Sequence, residues 1–230
     1  MDYKRLTIVL GHYGTGKTEI AINYARYIKE TGHDVDIVDL DIVNPYFRSR
    51  EVRRELFDKW GIKVIGADEK YMNADMPALS RDIYSVIQDK EKYAVFDVGG
   101  DDAGAIAFGQ YHNIISNKDV EVLFIVNVNR PFTKDADSVI KYIKLVENAA
   151  RISVTHLVNN THLSYDTSIE DVIKGQKVVE EVSRITGIPV KMTTAKRDIA
   201  EKLNKMGYNV FPIDLYMKAP WIKYDGEDRK

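Results

Sequence analysis

The chain has 230 residues, of which 44% are hydrophobic and 30% charged, which excludes a disordered protein and allows one α/β domain with a large core. Its formal net charge of −2 argues against a protein that coats nucleic acid, and the absence of cysteine excludes disulfides, thiolate metal sites and cysteine-bound iron–sulfur clusters. No apolar run approaches the roughly 18 residues of a membrane helix and no signal-peptide pattern precedes the first strand, so a cytoplasmic protein away from membranes is expected.

Taken in chain order, Leu6-Thr7-Ile8-Val9-Leu10 is apolar and β-branched and reads as a buried strand. It runs into Gly11-His12-Tyr13-Gly14-Thr15-Gly16-Lys17-Thr18, which fits G-x-x-x-x-G-K-[ST], the phosphate-binding loop. Residues 18–31 put Ile20, Tyr24, Tyr27 and Ile28 on one helical face. Strand, glycine loop and helix form the context in which that pattern is a site. Gly11, Gly14 and Gly16 adopt backbone angles that other residues avoid, so successive N–H groups can point at phosphate oxygens beside the positive end of the helix dipole. Lys17 is expected to reach the β- and γ-phosphates and Thr18 to offer its hydroxyl to Mg²⁺, with Thr15 and Glu19 completing the nucleotide-binding stretch.

Further on, Gly32 is a helix C-cap, residues 35–41 are a second strand ending in carboxylates, and Asn44-Pro45 breaks regular structure. A helix is expected over 49–60, a short strand over 63–66, a polar loop over 68–77 and a helix over 78–90. Residues 93–98 read as a strand entering a flexible acidic loop, 99–104, before an apolar-faced helix over 105–116. Residues 121–128 form the most apolar strand, expected at the sheet centre, followed by an amphipathic helix over 135–150 and a strand over 154–158 that ends at Asn159-Asn160. Ser168 and Asp171 resemble a capping box opening a helix that Gly187 closes. A core strand over 190–193, a helix over 197–206 and an edge strand over 210–213 follow, with a frayed tail from about residue 219. Strands alternate with helices throughout. The expected fold is therefore one three-layer α/β domain with a mostly parallel sheet, helices on both faces and ligands at the carboxyl ends of the strands.

Chemistry-bearing residues fall at those strand ends. Asp97, after four apolar residues, suits a nucleotide-bound Mg²⁺, which needs only one or two carboxylates. Asp39 could share the ion through a water, and Asp41 could orient or activate the attacking water. Gly99-Gly100 could let backbone N–H groups approach a γ-phosphate. Asn44 and Arg48, with Arg50, Arg53 and Arg54 beyond, make the stretch after the second strand a candidate switch and partner or anion surface, although a solvated helix face is the more ordinary account of the arginines. Asn127, Asn129 and Arg130-Pro131 end the most apolar strand and could line the same crevice.

The phosphate loop, the Asp-x-Asp at residues 39–41 and the Asp-x-Gly-Gly at 97–100 together resemble the MinD/ParA class of P-loop NTPases, which includes the CobQ/CobB-type synthases. The resemblance spans roughly residues 5–195. It implies that Lys17 and Thr18 hold phosphate and Mg²⁺, that Asp39 and Asp41 are the paired carboxylates of a first switch with Asp41 positioning water, that Asp97 lies near Mg²⁺, and that Asn159 or Asn160 reads the base. His12 departs from the class, whose loop carries there a lysine that crosses a dimer interface, and this puts homodimerisation in question. The function so implied is slow ATP hydrolysis coupled to a protein partner. An ATP-dependent kinase or synthetase acting on a small anion is the alternative, and a regulator that barely hydrolyses is a third reading. Guanine-specific relatives carry Asn-Lys-x-Asp where this chain has Asn159-Asn160-Thr161-His162, so ATP is expected over GTP.

Overall fold

The computed structural model describes residues 2–40, 50–66, 81–115 and 118–217. Eight strands, β1 (Leu6–Gly11), β2 (Val35–Leu40), β3 (Lys63–Gly66), β4 (Tyr93–Val98), β5 (Val120–Val126), β6 (His156–Asn159), β7 (Val190–Lys196) and β8 (Val210–Ile213), form one sheet. Their order is β3-β2-β4-β1-β5-β6-β7-β8 and every neighbouring pair is parallel. Parallel strands need crossovers, and helices supply them: α1 (Lys17–Glu30), α2 (Arg50–Trp60), α3 (Arg81–Gln88), α4 (Asp102–Gly109), α5 (His112–Ile115), α6 (Ala136–Ala150), α7 (Ile169–Thr186) and α8 (Arg197–Lys205).

Alternation within the strands builds the three layers. Leu6, Ile8 and Leu10 of β1 face one core with Phe96, Phe108, Phe124, Val139 and Val179, while Val9 faces the other with Ile20, Tyr24, Leu56 and Ile125. Helices α1 and α2 cover the second core; α3, α4, α6 and α7 cover the first. A third, smaller cluster joins the start of α7 to α8 and β8. The expected three-layer parallel fold is the one observed, with β5 inside the sheet and β8 at its edge. Among the described residues no helix is long and apolar enough to cross a membrane.

One element differs from the sequence reading. The helix expected over 105–116 begins earlier, at Asp102, and breaks into α4 and α5. Asp101 starts it, because its side chain accepts the Gly104 N–H at 2.8 Å as an N-cap. The break follows Gly109, where a Cβ would meet the Ala149 carbonyl at 2.8 Å, so α4 ends in close contact with the last turn of α6.

Candidate nucleotide site

The chain leaves β1 at Gly11 and enters α1 at Lys17, so the glycine loop lies at the carboxyl edge of the sheet between the ends of β4 and β5. Gly16 is the N-cap of α1 at φ 84° and makes no side-chain cap hydrogen bond, so the positive end of the α1 dipole faces the loop. A Cβ at Gly16 would fall on the Asn160 amide nitrogen. Inside the loop, the Thr15 N–H and hydroxyl donate to the His12 carbonyl at 3.3 and 2.9 Å, and Lys17 Nζ donates to the same oxygen at 3.3 Å. Lys17 is buried, and its Nζ lies 2.5 Å from where a Cβ on Gly100 would stand.

Thr18 Oγ1 donates to Asp97 Oδ2 at 2.6 Å, which brings together the two expected Mg²⁺ residues from positions 79 apart in the chain. Asp39 pairs in register with Asp97 across β2 and β4, and its Oδ2 lies 3.5 Å from Arg53. A hydroxyl and a carboxylate are hard oxygen donors of the kind Mg²⁺ prefers, and phosphate oxygens and water would supply the rest of its shell. Among the described residues no group of three or more His, Asp or Glu forms a self-sufficient metal site. Gly100, just past the end of β4, lies against the loop next to Lys17 and Tyr13, and its carbonyl accepts from the Tyr142 hydroxyl at 2.9 Å. The expected water-positioning Asp41 and the switch residues Asn44 and Arg48 lie outside the described residues, as does the polar loop over 68–77.

His12 is held within its own chain. Its ring stacks on Phe132 at 4.7 Å between centroids and meets Tyr142 edge-on at 5.0 Å. Burial first, and then the nearby Lys17 and Arg130, hold its pKa below the ordinary imidazole value.

The two asparagines at the end of β6 divide their work. Asn159 turns into the fold, donating to the Val172 carbonyl at 3.0 Å and accepting the Thr161 N–H at 3.2 Å. Asn160 faces the phosphate loop, donating to the Thr15 carbonyl at 2.7 Å and accepting the Thr194 hydroxyl at 2.7 Å. Beside it lies a narrow cleft lined by Gly16, Glu19, Asn160, His162, Thr194, Ala195, Lys196, Ile213 and Leu215. His162 Nδ1 accepts the Ser164 N–H at 3.2 Å, which assigns the proton to Nε2, on the side of Gly16. Desolvation, and then Arg130, push its pKa down to about 4, so the ring is neutral at pH 7.

Glu19, placed by the sequence among the nucleotide contacts, is engaged differently. Its carboxylate accepts the backbone N–H groups of Tyr216, at 3.0 and 2.9 Å, and Met217, at 2.7 Å. Burial pushes its pKa up to about 7 in spite of those two donors. The segment over 214–217 is tied down again by Asp214, which pairs with Arg26 and with Arg197 at 2.6 Å and exchanges backbone hydrogen bonds with the Asn23 amide. This strap, which walls the cleft with Leu215, was missed by sequence reasoning; a four-residue stretch without periodicity carries no signal of its own.

No protein-family profile matches the chain, and no curated protein matches it. Solved structures do share the fold. The cell division protein FtsY from Thermotoga maritima is 18% identical, with 84% of this chain aligned to 62% of that one and a TM-score of 0.57. The signal recognition particle 54 kDa protein from Aeropyrum pernix, solved with GDP, is 16% identical over 82% of this chain and 40% of that one, with a TM-score of 0.52. A nucleotide-binding protein from Archaeoglobus fulgidus, solved with ADP, is 16% identical over 88% of this chain and 87% of that one, with a TM-score of 0.51. This chain thus spans about three fifths of the FtsY structure. The likeness is one of fold, that of the P-loop NTPases, and it does not single out the MinD/ParA class within them.

Proposed function

We propose that the chain is a Mg·ATP-binding P-loop NTPase of MinD/ParA type that hydrolyses ATP slowly and acts as a nucleotide-dependent switch for a protein partner. The observation that carries the reading is the hydrogen bond from Thr18 to Asp97, beside the buried Lys17 and the uncapped N-terminus of α1. In this reading the first N–H groups of α1 and the Lys17 ammonium bind the phosphates, and Thr18 and Asp97 hold Mg²⁺, whose charge offsets that of the β- and γ-oxygens. ATP turnover is then a matter of positioning and electrostatics, with Asp41 as the candidate for orienting water.

One feature supports a switch, and a second supports a site complete in one protomer. Gly100 touches both Lys17 and Tyr13, and the next residue, Asp101, caps α4. A change at the γ-phosphate position therefore has a short route to α4. His12 is packed against aromatics of its own chain, which favours a site completed within one protomer over one completed by a partner's loop residue.

The cleft beside Asn160 is where the base would lie. Asn160 is the asparagine that reaches the phosphate loop, and three residues beyond it stands the exposed Leu163; three beyond Asn159 stands neutral His162. On either register no carboxylate occupies the place that accepts the guanine N1–H and 2-amino groups, and each donor left unpaired costs roughly 1–3 kcal/mol. ATP should thus bind about tenfold or more tightly than GTP. Competition titration with Mg²⁺ on the wild-type chain and on Lys17→Ala tests both parts. Wild type should prefer ATP and the variant should bind neither nucleotide measurably. Undiminished binding by a folded Lys17→Ala would sink the site, and equal affinities in wild type would sink the base assignment.

A further inference from the structure

The turn after β5 places one arginine against the phosphate loop. Arg130 Nε donates to the Gly14 carbonyl at 2.9 Å, and its guanidinium carbon lies 3.0 Å from where a Cβ on Gly14 would stand. The side chain is exposed, and among the described residues no carboxylate pairs with it. Arg26 and Arg197, by contrast, both meet Asp214, and Arg53 meets Asp39.

Its backbone is fixed. Arg130 N–H donates to the Asn127 carbonyl at 3.1 Å, and the Thr133 hydroxyl donates to the same oxygen at 2.6 Å. The Asn127 side chain in turn bonds the backbone of both Asn129 and His162, locking this turn to the end of β6. Pro131 then starts a 3-10 turn, Pro131–Thr133, and fixes the exit direction. An exposed guanidinium on a rigid turn, with one N–H on the loop and its terminal NH₂ groups unengaged among the described residues, is a planar fork prearranged to meet two oxygens of an anion such as a phosphate.

We propose that Arg130 is a second phosphate-binding cation of the nucleotide site, supplied within the same chain and acting with Lys17. This rests on the reading of the loop as a nucleotide site. Through Nε it braces the turn at Gly14, and through its terminal N–H groups it meets the phosphate chain of the bound nucleotide. The site then holds two fixed cations, Lys17 from within the loop and Arg130 from the neighbouring strand end.

The test is calorimetric titration of the full chain with Mg·ATP at low and high salt, comparing wild type with Lys17→Ala, Arg130→Ala and Arg130→Gln. Glutamine can keep a donor for the Gly14 carbonyl but carries no charge, so it separates bracing from phosphate binding. Both Arg130 variants should weaken Mg·ATP by about tenfold or more, and both should flatten the salt dependence of affinity. Wild-type affinity in Arg130→Gln would overturn the inference by reducing Arg130 to a brace, and so would unchanged affinity in Arg130→Ala. Thermal melts show whether each variant is folded; should Arg130→Ala fail to fold, Arg130→Gln alone decides. If Lys17→Ala binds Mg·ATP as wild type does, the underlying site reading fails whatever the Arg130 variants do.

Discussion

At the scale of single residues, Glu19 is the most informative side chain. It directly follows Thr18, yet its carboxylate binds the backbone of Tyr216 and Met217. Burial raises its folded pKa to about 7 against an ordinary 4.5, so over that interval the folded state holds a proton that the unfolded state does not. By linkage Glu19 contributes stability that is fully present below about pH 4.5 and is lost as pH rises through about 7. Glu19→Gln, which stays neutral, should therefore lose less melting temperature than wild type between pH 5 and pH 8. Parallel pH profiles for the two proteins would contradict this. Residue roles were unevenly legible in the sequence. Thr18 and Asp97, which the sequence reading assigns to one ion, lie in hydrogen-bond contact, and a loop motif and a strand-end acid each carry a pattern that can be read. Which of Asn159 and Asn160 faces the loop was not legible, since it depends on how far β6 runs before the chain turns.

Among the elements, α7 carries a glycine, Gly175, at its contact with the end of β6. A Cβ there would fall on the Thr161 hydroxyl and the Asn159 carboxamide oxygen. In an exposed helix interior, glycine to alanine gains about 1 kcal/mol. Here the added methyl must displace α7 from a turn that Asn159 fastens to the Val172 carbonyl. Gly175→Ala should destabilise the chain by roughly 1–3 kcal/mol, the usual cost of overpacking. Urea unfolding measures it, and a stabilised variant would refute the close contact. The strands and the amphipathic helices were legible because period-2 and period-3.6 patterns survive in them. The split into α4 and α5 was not, because the Ala- and Gly-rich run after Asp101 has almost no polar face and its break is imposed by contact with α6.

Across the whole molecule, the parallel order of the sheet gathers residues from five strand ends at one edge: Asp39, Asp97, the phosphate loop, Arg130 and Asn160. Alternating strands and helices predict such a sheet, and the carboxyl-end rule predicts the edge, so the gathering of these residues was legible before their contacts were. The strap was not, and it is held by charge. Asp214 joins Arg26 on α1 to Arg197 on α8, which keep its carboxyl at about 2, well below the usual range. Asp214→Ala should leave the largely buried Arg26 without its main partner. It should lower stability by roughly 1–3 kcal/mol, and it should weaken ATP binding by loosening the cleft wall at Leu215. Calorimetric melting and nucleotide titration of the same sample read both effects, and a variant as stable as wild type would show that the clamp contributes nothing.

The strap also gives the molecule a timetable. On the ribosome, the residues that wall the cleft emerge about two hundred positions after the glycine loop. At roughly 5–20 residues per second, that interval is on the order of 10–40 s. During it a nascent chain can present the phosphate cradle without the wall formed by Ile213 and Leu215, and with the Glu19 carboxylate still open to water. On the reading proposed above, tight nucleotide binding is thus a property the chain acquires only once the strap has been made.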